Sequence, residues 1–80
     1  MSEPKYRATA AELAEIDNRF EYHPAKGDQH GRYHHNRQAC SGLAEVILRN
    51  CPPSRERSLA LTKLEEVMFW ANAAIARNEQ

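Results

Sequence analysis

The sequence predicts an all-α protein, a short N-terminal helix followed by a long antiparallel helical hairpin, built to assemble with copies of itself. Three observations predict it. Pro52-Pro53 breaks what would otherwise be one long helical stretch, and the short connection it leaves turns the chain back on itself. Leu61, Leu64, Met68, Ala71 and Ile75 recur at three-four spacing, which is one face of a helix. Residues 67–76 are then apolar around the whole circumference, interrupted by Asn72. A helix apolar on every side must be covered on every side. Eighty residues offer too little other chain to do so, and the cover is expected from further copies.

Each element has a local reason. Residues 1–8 are polar and are expected to be disordered. Thr9-Ala10-Ala11-Glu12 is a capping box that opens a first helix to about Asn18, with Leu13 and Ile16 as its buried face. Phe20-Glu21-Tyr22-His23-Pro24 should leave the helix, because a residue before proline is pushed toward extended geometry. Lys26-Gly27-Asp28 is turn chemistry, with Asp28 available to cap the next helix.

That second helix is expected over residues 29–50. Tyr33, Cys40, Leu43, Ala44, Ile47 and Leu48 form its buried stripe, and Arg32, Arg37 and Glu45 point elsewhere. Gly31 and Gly42 weaken it unless another backbone approaches closely there. Ser54 caps a third helix running to Asn78, where Glu56 suits the first turn and Arg55 and Arg57 need partners. No repeat or linker divides the chain, so residues 1–80 read as a single helical domain.

Composition narrows the function classes. Net charge is zero with both signs interspersed, which disfavours a binder of long nucleic acid but leaves room for a discrete anion pocket. The apolar run is too short to span a membrane. Two cysteines, Cys40 and Cys51, are too few for a disulfide framework and read as reduced, buried thiols of a cytosolic protein.

Chemistry-bearing clusters are sparse. His30 and His34 lie one turn apart, as helix-borne zinc ligands do, but no cysteine or carboxylate stands at supporting spacing, and no metal is assigned. No nucleophile has an adjacent base, and no Gly-rich phosphate loop occurs. The better candidates are Phe20, Tyr22 and His23 at the Pro24 bend, where an aromatic face can stack on a nucleobase, with Arg37 and Lys26 for phosphate. Their alternative is structural, the aromatics capping the core and Arg37 pairing with a carboxylate. Arg77 and Asn72 divide the same way. Arg77 is either a favourable helix-end charge or an anion site where helix ends meet, and Asn72 is a register-setting amide or part of that site.

Taken together, the stretches Phe20-Glu21-Tyr22-His23-Pro24, Arg32-Tyr33, Arg37, the run from Cys51-Pro52-Pro53-Ser54 to Glu65-Glu66, and Trp70-Ala71-Asn72-Ala73-Ala74-Ile75-Ala76-Arg77 resemble the phage Acb2 family of anti-CBASS cyclic-nucleotide sponges. The resemblance implies an interlocked all-helical homohexamer made in the cytoplasm of the infected bacterium. It implies binding of cyclic oligonucleotides without cleavage, and no cofactor. Cyclic dinucleotides would sit between paired protomers and cyclic trinucleotides where three protomers meet, since ligand symmetry matches each axis. By resemblance and side-chain type, Tyr22, His23, Pro24, Lys26 and Arg37 belong to the dinucleotide site. Asn72, Ala73 and Arg77 belong to the trinucleotide site. The competing readings are a phosphodiesterase that degrades the messenger and a helical adaptor that docks on a host protein.

Overall fold

The computed structural model describes residues 4–79, and it is helical throughout its regular parts. Three helices follow in order, α1 (Ala10–Phe20), α2 (Gln29–Asn50) and α3 (Arg55–Asn78). The expectation of disorder at residues 1–8 lies partly outside the described residues; residues 4–8 are exposed and non-helical.

The caps form largely as their chemistry dictates. Thr9 accepts from the Glu12 amide at 3.1 Å, and the Glu12 carboxylate accepts from the Thr9 amide at 2.9 Å, which closes the capping box. Those bonds favour ionised Glu12 and hold its pKa below the usual carboxylate value. Ser54 caps α3 by accepting from the Arg57 amide at 3.1 Å. Arg57 in turn donates to the carbonyls of Leu48 at 3.4 Å and Cys51 at 3.2 Å. A cation thereby sits on orphan carbonyls at the C-terminal end of α2, the partner its place in a helix's first turn called for.

α2 departs from expectation at its start. Asp28 is the N-cap residue but makes no side-chain cap bond. Its carboxylate accepts instead from Arg32, one turn on, at 2.9 Å. Gly27 carries the turn at φ +57°, a left-handed conformation that a side chain would strain. Gly31 and Gly42 meet no neighbour within 4 Å of an added Cβ, so among the described residues no other element's backbone approaches them.

α2 and α3 pack antiparallel as the hairpin. Their shared layer holds half-buried Tyr33, Cys40, Ala44 and Ile47 from α2, against Leu61, Leu64, Met68, Ala71 and Ile75 from α3. Leu43 and Leu48, expected in the α2 stripe, are exposed at 49% and 47%. At 100° per residue they flank the contact line rather than occupy it, and a single facing helix cannot cover so wide an arc. Cys51 is likewise exposed, because it caps α2 at the connection instead of facing α3.

α1 does not bury Leu13 and Ile16, which are 53% and 47% exposed. The helix also runs two residues beyond Asn18. Its C-terminal turn meets the end of α3, where the Asn18 amide donates to the Arg77 carbonyl at 3.2 Å. Its apolar side remains uncovered.

Among the described residues no hydrophobic side chain is fully buried, and the buried residue is a polar one, Gln29. The radius of gyration is 18.0 Å, where a compact chain of this length would give about 12 Å. Trp70, Phe69 and Val67 are 64%, 57% and 56% exposed. The chain is thus an open scaffold whose apolar surface is displayed rather than enclosed.

Candidate functional site

The segment between α1 and α2 is extended because Pro24 denies it a helix, and it folds back over the end of α3. His23 Nε2 lies 2.8 Å from the Asn18 carbonyl. A carbonyl can only accept, so Nε2 carries the proton and Nδ1 of the neutral ring is an acceptor. The Lys26 amide donates to the Gln29 side-chain oxygen at 3.0 Å, which ties the turn to the first residue of α2. Gln29 completes its hydrogen bonding through its amide, which donates to the backbone and side-chain oxygens of Glu79, each at 3.4 Å. A buried polar side chain is tolerable only when so satisfied.

Beside it, Arg32 grips Glu79 with both arms of its guanidinium, at 2.8 Å and 2.5 Å. This fork-on-fork contact holds the Glu79 carboxyl at a pKa of about 2, with help from Gln29 and the Lys26 charge. The same bonds raise the pKa of Arg32. Arg32 was expected to point away from the packed face. It is half-buried because the end of α3 comes back alongside the first turn of α2.

The expected dinucleotide residues are partly assembled. His23, Pro24 and Lys26 line one pocket together with Gln29, Ala76 and Glu79. Tyr22 stands next to them in sequence, is 86% exposed and does not line that pocket. Arg37 belongs elsewhere within one chain. It lines a groove between α2 and α3 with Cys40, Ala44, Leu61, Glu65 and Met68. From Gln29 to Arg37 is about 12 Å along the helix.

The expected trinucleotide residues also divide. Ala73 and Arg77 line a shallow pocket with Glu66, Phe69 and Trp70. The Arg77 guanidinium stands 5.8 Å from the Trp70 ring centroid, within cation–π range. Asn72 faces the opposite way, its side-chain oxygen accepting from Asn36 at 3.0 Å in the layer between α2 and α3. Within the chain, Asn72 links α3 to α2 through that one side-chain bond.

Among the described residues no group of three or more His, Cys, Asp or Glu is placed to hold a metal. No helix among them is long and apolar enough to cross a membrane. Sequence reasoning passed over Gln29 and Glu79. The available signal was the Asp28–Arg32 spacing, which marks Arg32 as an ion-pairing residue, although Glu79 is 47 positions away and no local pattern names it.

These features define a small helical-hairpin protein with a polar cluster at the end where all three helices meet and an exposed apolar flank on α3. Residues 12–76 match the family profile described as Acb2/Tad1, hairpin domain. The chain belongs to that family, which at family level is one of phage anti-CBASS proteins of the sponge type. Comparison with curated proteins found no match. Comparison with solved structures found none either.

Proposed function

We propose that this protein is a phage-encoded sponge that binds cyclic oligonucleotide second messengers and withholds them from CBASS effectors without cleaving them. The family match over residues 12–76 carries the reading. The local chemistry supports it: an exposed aromatic at Tyr22 is suited to stacking, while the Lys26 ammonium in the neighbouring pocket suits a phosphate. In this reading the protein acts in the cytoplasm of the infected host as a homo-oligomer, a hexamer by resemblance. Tyr22, His23, Pro24, Lys26 and Arg37 bind a cyclic dinucleotide, and Asn72, Ala73 and Arg77 a cyclic trinucleotide. Assembly accounts for the separation of Arg37 from Tyr22 within one chain, since a second protomer can supply the missing wall. It also accounts for the exposed Val67, Phe69 and Trp70.

The test mixes the protein with a cyclic dinucleotide, measures loss of free ligand, then digests the protein and analyses what is released. A sponge returns intact ligand. Linear product would make the protein a phosphodiesterase, and no depletion would favour a docking adaptor.

A further inference from the structure

Arg32 presents a phosphate-type receptor that is already filled. Its guanidinium takes both oxygens of the Glu79 carboxylate, the geometry by which a guanidinium also takes two oxygens of a phosphate. Its Nε is buried and makes no hydrogen bond, so the present partners leave part of the donor set unused. The receptor is continuous with the pocket of His23, Pro24, Lys26 and Gln29, because Glu79 lines that pocket as well. Resting on the sponge reading, we infer that Arg32 and Lys26 form a phosphodiester subsite at this end of the hairpin, which the Glu79 carboxylate occupies in the ligand-free protein and yields to a cyclic oligonucleotide.

The exchange is balanced in charge. A phosphodiester and a carboxylate each carry one negative charge over two equivalent oxygens, so Arg32 sees no change in net charge when one replaces the other. Glu79 is also a poorly placed occupant apart from its partners. It caps the C-terminal end of α3, where the helix dipole disfavours an anion, and its side chain is 41% exposed. Once displaced, it has solvent beside it and no helix to unwind. Asp28 stays on Arg32 at 2.9 Å and keeps the guanidinium in place for the incoming group. Glu79 then acts as a guard that excludes weaker anions, and Arg32 is a ligand-binding residue that resemblance did not supply.

The test compares Glu79→Gln, Arg32→Gln and the double variant by titration calorimetry. The probes are cyclic di-AMP, cyclic di-GMP, cyclic GMP-AMP and cyclic tri-AMP. Glu79→Gln should lower the melting temperature of the free protein while raising affinity for the bound probe roughly two- to fivefold, the range for losing an exposed ion-pair competitor. Arg32→Gln should weaken binding, and Glu79→Gln should add nothing in that background. A merely structural pair would move stability and affinity downward together. Equal or weaker binding by assembled Glu79→Gln overturns the inference. Carbon-13 spectra of the wild-type protein supply a test that needs no variant. Saturating ligand should shift the Glu79 carboxyl resonance toward that of a solvated carboxylate, and an unmoved resonance overturns the inference. If the wild-type protein binds none of the probes, the sponge reading itself fails and takes this inference with it.

Discussion

At the end of the hairpin where α1, α2 and α3 meet, polar groups find their partners inside the chain. Gln29 is buried and bonded, Arg32 holds Glu79, His23 meets the Asn18 carbonyl and Asn18 reaches Arg77. The outer flank of α3 is the reverse, with Val67, Phe69 and Trp70 all more than half exposed and the Arg77 guanidinium over the Trp70 ring. The two regions differ in what they contribute. Hydrogen bonds formed on folding replace bonds to water and exposed ion pairs are screened by solvent, so the polar end sets geometry more than it adds stability. Covering a large apolar side chain is worth about 1.5–3 kcal/mol, so the flank holds the larger stabilising reserve, realised when another surface covers it. Precision is arranged at the polar end, and the apolar flank is left exposed.

The comparison breaks most sharply at Phe69. Its helical neighbours three and four positions away are Glu65, Glu66, Asn72 and Ala73, so a carboxylate introduced there has no cation one turn away; Arg77, eight positions on, shares its pocket and is already engaged with the Trp70 ring. Phe69→Glu should place an unpaired charge in the assembly contact, at a cost of about 3–5 kcal/mol per copy. Light scattering should then report a 9.2 kDa species or unfolded chain in place of an oligomer. An assembled Phe69→Glu protein with an unchanged melting temperature would show that this flank is not a contact surface.

A smaller effect separates the binding groups on the two regions. Tyr22 belongs to the polar end, and Arg77 shares a pocket with Phe69 and Trp70 on the flank. Tyr22→Ala removes a stacking platform worth about 1–3 kcal/mol per base, so cyclic dinucleotide binding should be lost while cyclic trinucleotide binding persists. Arg77→Ala should do the opposite. Calorimetry on both variants decides it. Either substitution removing both activities from an intact oligomer would mean that the regions form one site.

How far these regions were legible in the sequence follows the range of the interactions. The capping box at Thr9 and Glu12, the Pro52-Pro53 break and the Ser54 cap are local, and each helix boundary they govern lies within two residues of expectation. The α3 stripe was readable because its spacing faces one neighbour along its whole length. Leu13, Ile16, Leu43 and Leu48 were misjudged as buried because periodicity identifies an apolar face without saying whether the same chain covers it. Asp28 was a fair cap by residue type, but Arg32 competes for its carboxylate. At the candidate site, the bend at Pro24 was legible and the grouping of His23 with Lys26 followed from nearness in sequence. The Arg32–Glu79 pair was not, because its members lie 47 positions apart in sequence and meet only where α3 returns alongside α2. The pairing of Asn72 with Asn36 was hidden for the same reason.

The gentlest probe of the comparison is acid, which should loosen the polar end before it disturbs the flank. Glu79 titrates at about 2 in the folded chain, against 4.5 for an ordinary glutamate. A folded-state pKa below the unfolded value means that the ion pair's contribution is fully present above pH 4.5 and is lost as pH falls toward 2. Glu12, whose pKa is also lowered, drifts in the same direction through its capping box. The Glu79 share is therefore read as a difference between wild type and Glu79→Gln, which retains Glu12. Melting temperatures of the two proteins should be furthest apart above pH 4.5 and converge as the carboxyl protonates toward pH 2. The gap should be small, because both partners are about 40% exposed and solvent screens the pair. It should also shrink in high salt, whereas the apolar contacts on α3 should not weaken. A gap that stayed constant across this range would show that Glu79 matters through packing or its hydrogen bonds to Gln29. The ionic latch assigned to the polar end would then have to be abandoned.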